Sequence, residues 1–568
     1  TSGLPRREAI VRSPLALHFH LATPNEPTPP PDPNEPPAVV TRRFRATGAT
    51  GYPMALMGVV AHLRQAMLDA EHAHVLDRFY EEKGGPRPPS DAALRALYAA
   101  GTRALPVWWE ANTRDEILRS LDLADEFGTT AVIVGGREAG KVADVLKAKG
   151  VPVVLKLDFP EEPKAPTEAE YQKRPEAERE EPLRVLVDRN AKWKDRVGTA
   201  ARLAKAGVPF AFATDGIAKA DTTPAQVRKA IAQGLSKDDA LDALTRTAAK
   251  IAGLEKRLGT IEVGKLGHIV VMTAPFEDEK AKVRYMLADW IKFDMEKQPA
   301  ASKKDAAGKG GFGKGRGGAG KEVAKPDATD DEPDAHEKAE AKGEAKEGEA
   351  KSERKKESAK KSDTPKKDEA KKKDEPPKPF VDVASELEAD RKPALKTGGG
   401  VLIKDAVILT VTKGTIPRGS ILIKDGKIAA VGPDVKAPEG VKVIEANGLV
   451  AMPGIIDTHS HMAISGGVNE MSLSIVPEVR VKDVVSGEDE GVYRALAGGT
   501  TSARLLHGSA DTIGGQDVVI KLKYGLPGRD LIVKDGDQGV KFALGENVTR
   551  RTGRFPNTRM GVEATIER

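Results

Sequence analysis

Cysteine is absent from the 568-residue chain. That excludes disulfides, thiolate nucleophiles, zinc fingers and iron–sulfur clusters, and leaves histidines and carboxylates to hold any metal. Aromatic residues are scarce, 4% against 39% hydrophobic residues overall, so cores can form while some long stretch contributes to none. No apolar run approaches the roughly 20 residues that a membrane-spanning helix needs. Thr1-Ser2-Gly3-Leu4 offers neither a start methionine nor a signal-peptide core, which predicts a cut N-terminus and leaves the compartment undecided. The net charge is only +5, too small for a strong global field, and the length calls for two or more folding units.

The missing aromatics and aliphatics have an address. From Ala301 to Pro379 there is no Leu, Ile, Trp, Tyr or Met, with an isolated Phe312 and Val323 amid mostly Lys, Glu, Ala, Gly, Asp, Ser and Pro. Such a stretch cannot bury enough apolar surface to offset its ordering entropy, so 299–395 reads as a disordered charged linker. Gly310 to Gly318 has the flavour of a Gly/Arg-rich nucleic-acid tail. Interspersed acids and the single aromatic argue against nucleic acid and for a solvated tether.

Upstream of the tether, short apolar runs alternate with amphipathic stretches. Strands are expected at 105–110, 130–134, 151–157 and 208–213, with helices at 114–127, 140–149 and near 200–206, and two more before Gly253. Strand and helix repeating in this order predict parallel βα units, with ligands at the strand C-terminal ends. Downstream, Ile421, Ile423 and Ile428 flank Asp425-Gly426, a type I′ hairpin signal, and a further strand is expected at 441–450. Gly454-Ile455-Ile456-Asp457 then enters a buried strand, after which βα texture returns through 492–497 and 500–506.

His459 and His461 stand at the end of that strand as His-Ser-His. Residues i and i+2 of a strand point the same way, so two imidazoles can converge on one divalent cation. The same spacing at His18 and His20 lacks the surrounding turn and acidic neighbour, and reads as partly exposed histidines. Gly135-Gly-Arg-Glu-Ala-Gly140-Lys141-Val142 nearly fits a phosphate-binding loop, but Val142 supplies no hydroxyl for magnesium, so a plain loop is favoured.

With the β-module before it, the phrase from Gly448 to His461 resembles the metal-dependent amidohydrolase superfamily, most closely its imidazolonepropionase-like and prolidase-like branch. The resemblance covers 399–568, and Gly498-Gly-Thr-Thr-Ser502 agrees with it. It implies an α/β fold of (β/α)8 TIM-barrel type with a small split β-sandwich, and a first barrel strand whose His459 and His461 bind a divalent metal. That metal is most simply Zn, with Mn or Fe as alternatives. Over roughly 100–290 the chain resembles the other end of the same family. Phe212-Ala-Thr-Asp215-Gly216 looks like the eighth-strand passage whose Asp takes a proton from the attacking water, and the run from Gly253 to Lys265 looks like the return to the sandwich.

The order is therefore inverted, and implies two tandem incomplete copies. Residues 1–298 would be the C-terminal part of a degenerate domain, 299–395 the linker, 396–450 the start of a second sandwich and 451–568 the truncated start of its metal-binding barrel. Only 118 residues follow from Ala451, whereas a complete barrel takes about 250. The first copy departs from the family where chemistry is expected. Positions 75–267 contain no histidine, and alignment places Glu110 and Gly135 at the fifth- and sixth-strand ligand positions, leaving Asp215 alone. Some family members use a carboxylated lysine as a metal ligand, which makes Lys541 a further candidate beside Glu546 or a plain surface lysine. His507 either lines the pocket or is an ordinary loop histidine.

The resemblance implies a hydrolase of C–N bonds in cyclic amides, amidines or peptides, acting on a small-molecule substrate without membrane or nucleic acid, with oligomer formation left open. A composite site of Asp215 with His459 and His461 is one variant. The alternative from another class is a non-catalytic scaffold with relic barrels and a partner-binding linker.

Overall fold

The computed structural model describes residues 12–22, 51–175, 179, 181–215, 217, 222–288, 291–294, 386–393, 395–550 and 553–568. Residues Thr1–Lys297 and Val381–Arg568 gather into one compact unit. The tether expected at 299–395 lies outside the described residues up to 385.

The first block is built on a five-stranded parallel sheet in sequence order, β1 (Leu17–His20), β2 (Val107–Ala111), β3 (Ala131–Gly135), β4 (Val153–Lys156) and β5 (Phe210–Ala213). Helices connect the strands as the periodicity requires. Thr113 and Glu116 close a capping box at the start of Arg114–Glu126, whose Ile117, Leu118 and Leu121 are buried against the sheet. Left-handed glycines, Gly150 and Gly207, end the helices Ala143–Lys149 and Thr199–Ala206. Three short helices, one more than expected, precede Gly253: Thr223–Ala232, Lys237–Leu244 and Arg246–Ile251. β1, absent from the sequence reading, pairs with β2 so that His20 faces Glu110. Also unforeseen is the 28-residue helix Leu56–Lys83, which has little amphipathic pattern of its own. The block ends in an antiparallel sheet, β6 (Ile269–Met272), β7 (Val283–Ala288) and β8 (Ile291–Asp294).

The second block opens with the expected hairpin. β10 (Thr415–Lys424) turns into β11 (Lys427–Gly432) through Asp425 and Gly426, both at positive φ, the type I′ signature. β9 (Val401–Leu409) pairs with β10 and takes β12 (Lys442–Glu445) and β13 (Val450–Ala451) on its other side. β14 (Ile455–Ser460) runs parallel to β15 (Thr500–Leu505), with the helix Glu490–Ala497 between them, and β17 (Val518–Lys521) joins β15 antiparallel. A two-stranded ribbon, β16 (Ile513–Gln516) and β18 (Val540–Phe542), completes the strands. β14 departs from the buried strand expected there. Ile455 and Ile456 are 48% and 66% exposed, because β14 has a hydrogen-bonded neighbour on one side only among the described residues.

The architecture is mixed α/β. The strands expected to form barrel pieces occur as separate five- and three-stranded sheets, and no hydrogen-bonded closure joins them among the described residues. The two blocks nonetheless share a seam. Leu56 and Met57 pack in one apolar cluster with Val476, Val479 and Val484. Arg64 forks onto Asp483 at 2.6 and 3.0 Å, Arg114 donates to the carbonyls of Gly525 and Leu526, and Arg529 meets Asp122 at 2.8 Å.

The firmest link is Glu470, fully buried. The helix Leu56–Lys83 has Ala55 at its N-cap, which offers no side-chain acceptor. Glu470 supplies the missing acceptor from the other block, taking the N–H of Met54 at 2.7 Å and of Ala55 at 2.7 Å. Its approach requires Gly58, where a Cβ would lie 2.0 Å from Oε2.

Candidate metal centre

His459 and His461 project from the C-terminal end of β14, with the buried Ser460 between them turned to the opposite face. Both histidines are exposed. Their ring centroids lie 5.3 Å apart at an interplanar angle of 79°. The strand reaches this position through Gly454, where any side chain would collide with Thr501. Leu506 locks the strand end twice: its N–H donates to the Ser460 carbonyl at 3.0 Å, and its carbonyl accepts from His461 Nδ1 at 2.8 Å. With Nδ1 committed as donor, His461 Nε2 keeps its lone pair, the arrangement typical of a metal-binding imidazole.

Lys541, on β18, reaches the same place from the other side. Its Nζ stands 3.3 Å from His459 Nε2. The lysine is partly desolvated, which lowers its pKa. The His459 pKa is lowered in turn, first by the charge of Lys541, then by burial and by His461, against the raising influence of Asp457. Desolvation at Lys541 and the repulsion between Lys541 and His459 both disfavour the protonated forms. Glu546, the rival candidate, instead pairs with Arg550 at 3.1 Å. Among the described residues no group of three or more His, Asp or Glu side chains could hold a metal ion. The arrangement around His459 is thus two imidazoles and an amine.

His507 does not line this pocket. It is fully buried, its Nδ1 donates to the Gly508 carbonyl at 2.9 Å and its Nε2 accepts the Glu470 N–H at 2.8 Å. Both ring nitrogens are spoken for by the backbone, and burial lowers its pKa, so it is a neutral structural histidine beside the seam.

In the first block the aligned positions also meet, around a different ion. Lys156 Nζ lies 3.0 Å from Glu110 and 2.7 Å from Asp215, and His20 Nε2 is 4.0 Å from the same Glu110. Burial would lower the Lys156 pKa, but the hydrogen bonds it donates to Asp215 and Glu110 outweigh it and raise the value. Asp215 is held there rather than drawn into the histidine pair. Gly135 ends β3 at positive φ, where a Cβ would strike Asn112. The loop beyond it holds Lys141 against Glu138 at 2.6 Å, which gives the phosphate-loop lookalike a local ion pair.

The sequence reading missed Lys156 and Glu470. Lys156 ends an apolar strand, a weak signal in hindsight, since an isolated lysine there usually marks only the strand's exit into solvent. Glu470 carries no signal, because the helix end it caps lies about four hundred positions away in the chain.

Comparison with known proteins bears on the family. The sequence profile of the amidohydrolase family matches residues 109–292, the block in which the eighth-strand resemblance was noted. The 5'-deoxyadenosine deaminase of Methanobrevibacter smithii is 39% identical over 80 residues, 14% of this chain and 18% of that protein. The dihydroorotase of Geobacter metallireducens is 32% identical over 102 residues, 18% of this chain and 20% of that protein. The chain thus spans about a fifth of the length of these relatives. An amidohydrolase from Thermotoga maritima MSB8 is 25% identical over 51% of this chain and 65% of that one, at a TM-score of 0.39, too low to argue a shared fold. The likeness of this chain to the amidohydrolase family thus rests on residues 109–292.

Proposed function

We propose that the chain is part of a metal-dependent hydrolase of C–N bonds whose cation is held by His459 and His461, with Lys541 as the third donor. The observation that carries this reading is the convergence of two imidazoles and one amine from β14 and β18, with His461 Nδ1 tied back to a carbonyl. The donor chemistry fits a borderline metal such as Zn, with Mn or Fe as alternatives. An ammonium at Lys541 would repel the ion, whereas a carboxylated lysine would offer an anionic oxygen. The depressed pKa of Lys541 favours the free amine that carboxylation requires.

When bound, the cation supplies a Lewis acid that polarises the scissile carbonyl and brings the pKa of a water toward about 7. The chain's own residues do the rest. Leu506 holds His461 in one tautomer, and Asp457 Oδ1 accepts the His459 N–H at 3.0 Å, fixing the turn that presents both rings. Relatives named as a deoxyadenosine deaminase and a dihydroorotase act, by those names, on small cyclic substrates. The substrate class proposed here is accordingly a small molecule with a cyclic amide or amidine.

The barrel and sandwich belong to the same reading. The five-stranded sheet and the β14–β15 pair would be late and early barrel strands of two tandem copies. The β6–β8 and β9–β13 sheets would be the two parts of split sandwiches. Exposed apolar residues such as Val270 and Ile428, 55% and 71% exposed, agree with sheets that await a facing layer. The Lys156 ammonium between Glu110 and Asp215 supports a first copy without catalysis of its own.

Metal analysis of the purified chain tests the proposal. About one Zn, Mn or Fe per chain is expected, lost in His459→Ala and in His461→Ala and retained in Asp215→Ala. A wild-type chain without stoichiometric metal after growth in supplemented medium overturns the enzymatic reading, and loss of metal in Asp215→Ala would restore the composite site.

A further inference from the structure

Two residues beyond His461 the backbone enters a conformation that its side chain disfavours. Ala463 has φ 57° and is fully buried, and a non-glycine residue persists in the left-handed region only where its surroundings hold it there. The holding group is Asp489. Its Oδ2 accepts the Ala463 N–H at 2.5 Å, while its Oδ1 accepts the Gly491 N–H at 2.7 Å as N-cap of the helix Glu490–Ala497. The Ala463 carbonyl accepts from the Ser486 N–H at 2.9 Å, so the same segment grips both sides of that residue.

His461 therefore sits between two fixed points. On one side Ser460 is bonded to Leu506; on the other, the turn at Ala463 is clamped by Asp489. We infer that Asp489 is a positioning residue for the cation site, holding the left-handed turn at Ala463 so that the His461 ring is presented to the ion together with His459. This rests on the proposed metal centre and adds to it a specific device, in which one carboxylate couples the start of a helix to the direction of a ligand ring. Partners at this remove from a metal typically change affinity by about 10- to 100-fold when lost.

The two functions of Asp489 can be separated. Serine at 489 can still cap the helix but is too short to reach Ala463 as well, and glycine at 463 adopts positive φ without a clamp. The experiment is titration of the full chain with Co²⁺, followed by calorimetry and by the visible absorption that reports ligand geometry, with helicity checked by circular dichroism. The wild type is expected to bind Co²⁺ in a manner abolished by His461→Ala. Asp489→Ser should weaken binding by about 10-fold or more and alter the spectrum, and adding Ala463→Gly should restore most of both.

Unchanged Co²⁺ affinity and spectrum in Asp489→Ser would overturn the inference while leaving the metal centre standing. So would a loss that Ala463→Gly does not repair, because that is the mark of a general packing role. Absence of His461-dependent Co²⁺ binding in the wild type would overturn the metal centre, and this inference with it.

Discussion

Two lysines at strand ends, one in each block, show how neighbours decide what a residue type can do. Lys156 lies between two carboxylates and its ammonium is stabilised, so its pKa rises. Lys541 lies against an imidazole with no carboxylate paired to it among the described residues, and desolvation lowers its pKa. In the first block the lysine is the cation of the cluster; in the second its charge is disfavoured. At the two strand ends where the family's chemistry is expected, carboxylates favour the charged lysine in the first block and desolvation disfavours it in the second.

The comparison presumes a seam that holds the blocks together, and the largest effect should come from breaking it. Glu470→Ala leaves the Met54 and Ala55 N–H groups without their buried acceptor, at a cost of about 3 kcal/mol. Calorimetry should show a lowered transition that splits in two as the blocks uncouple. A single unshifted transition would mean that each block stands alone.

The next effect separates the lysines directly. Lys156→Met removes the ammonium that Glu110 and Asp215 share, and should cost about 1–2 kcal/mol in denaturant unfolding, tempered because Asp215 is 66% exposed. Lys541→Met should cost less than about 0.5 kcal/mol, yet remove the cation affinity proposed for His459 and His461. Equal losses of stability in the two variants would erase the distinction.

The pH dependence of stability should differ in sign as well. The raised Lys156 contributes stability below its ordinary 10.5 that is lost as pH rises through its folded value. The lowered Lys541 carries a penalty below its folded value, which is relieved as pH climbs toward 10.5. Melting temperatures from pH 8 to 11 should therefore fall less steeply in Lys156→Met and more steeply in Lys541→Met than in the wild type. The smallest effect is spectroscopic. His459 should titrate by proton NMR below the ordinary 6.5 and move back up in Lys541→Met, since the charge of Lys541 is the largest cause of its shift. A midpoint indifferent to that substitution would remove the contact between them.

Local signals carried the βα units of the first block and the hairpin at Asp425-Gly426, because capping boxes, left-handed glycines and type I′ turns are written within a few residues. Helix Leu56–Lys83 was illegible, since its one buried end is chosen by Glu470 and the Val476 cluster rather than by its own pattern. β1 was passed over because four residues with two histidines resemble any exposed segment until Trp108 and Glu110 lie beside them. At the site, His459 and His461 were legible as a pair on one strand face, and Lys541 only as a guess. His507 invited a functional reading that its burial removes.

The sequence by itself determined that any metal must rest on nitrogen and oxygen donors, that two imidazoles share one face of a strand, and that the charged stretch after residue 300 offers no core, all consequences of composition and of the two-residue repeat of a strand. Tertiary structure alone decided which lysine has its charge stabilised by carboxylates and which stands desolvated beside a histidine. It also decided that a glutamate caps a helix far away in the chain, because desolvation and charge pairing depend on distances through space.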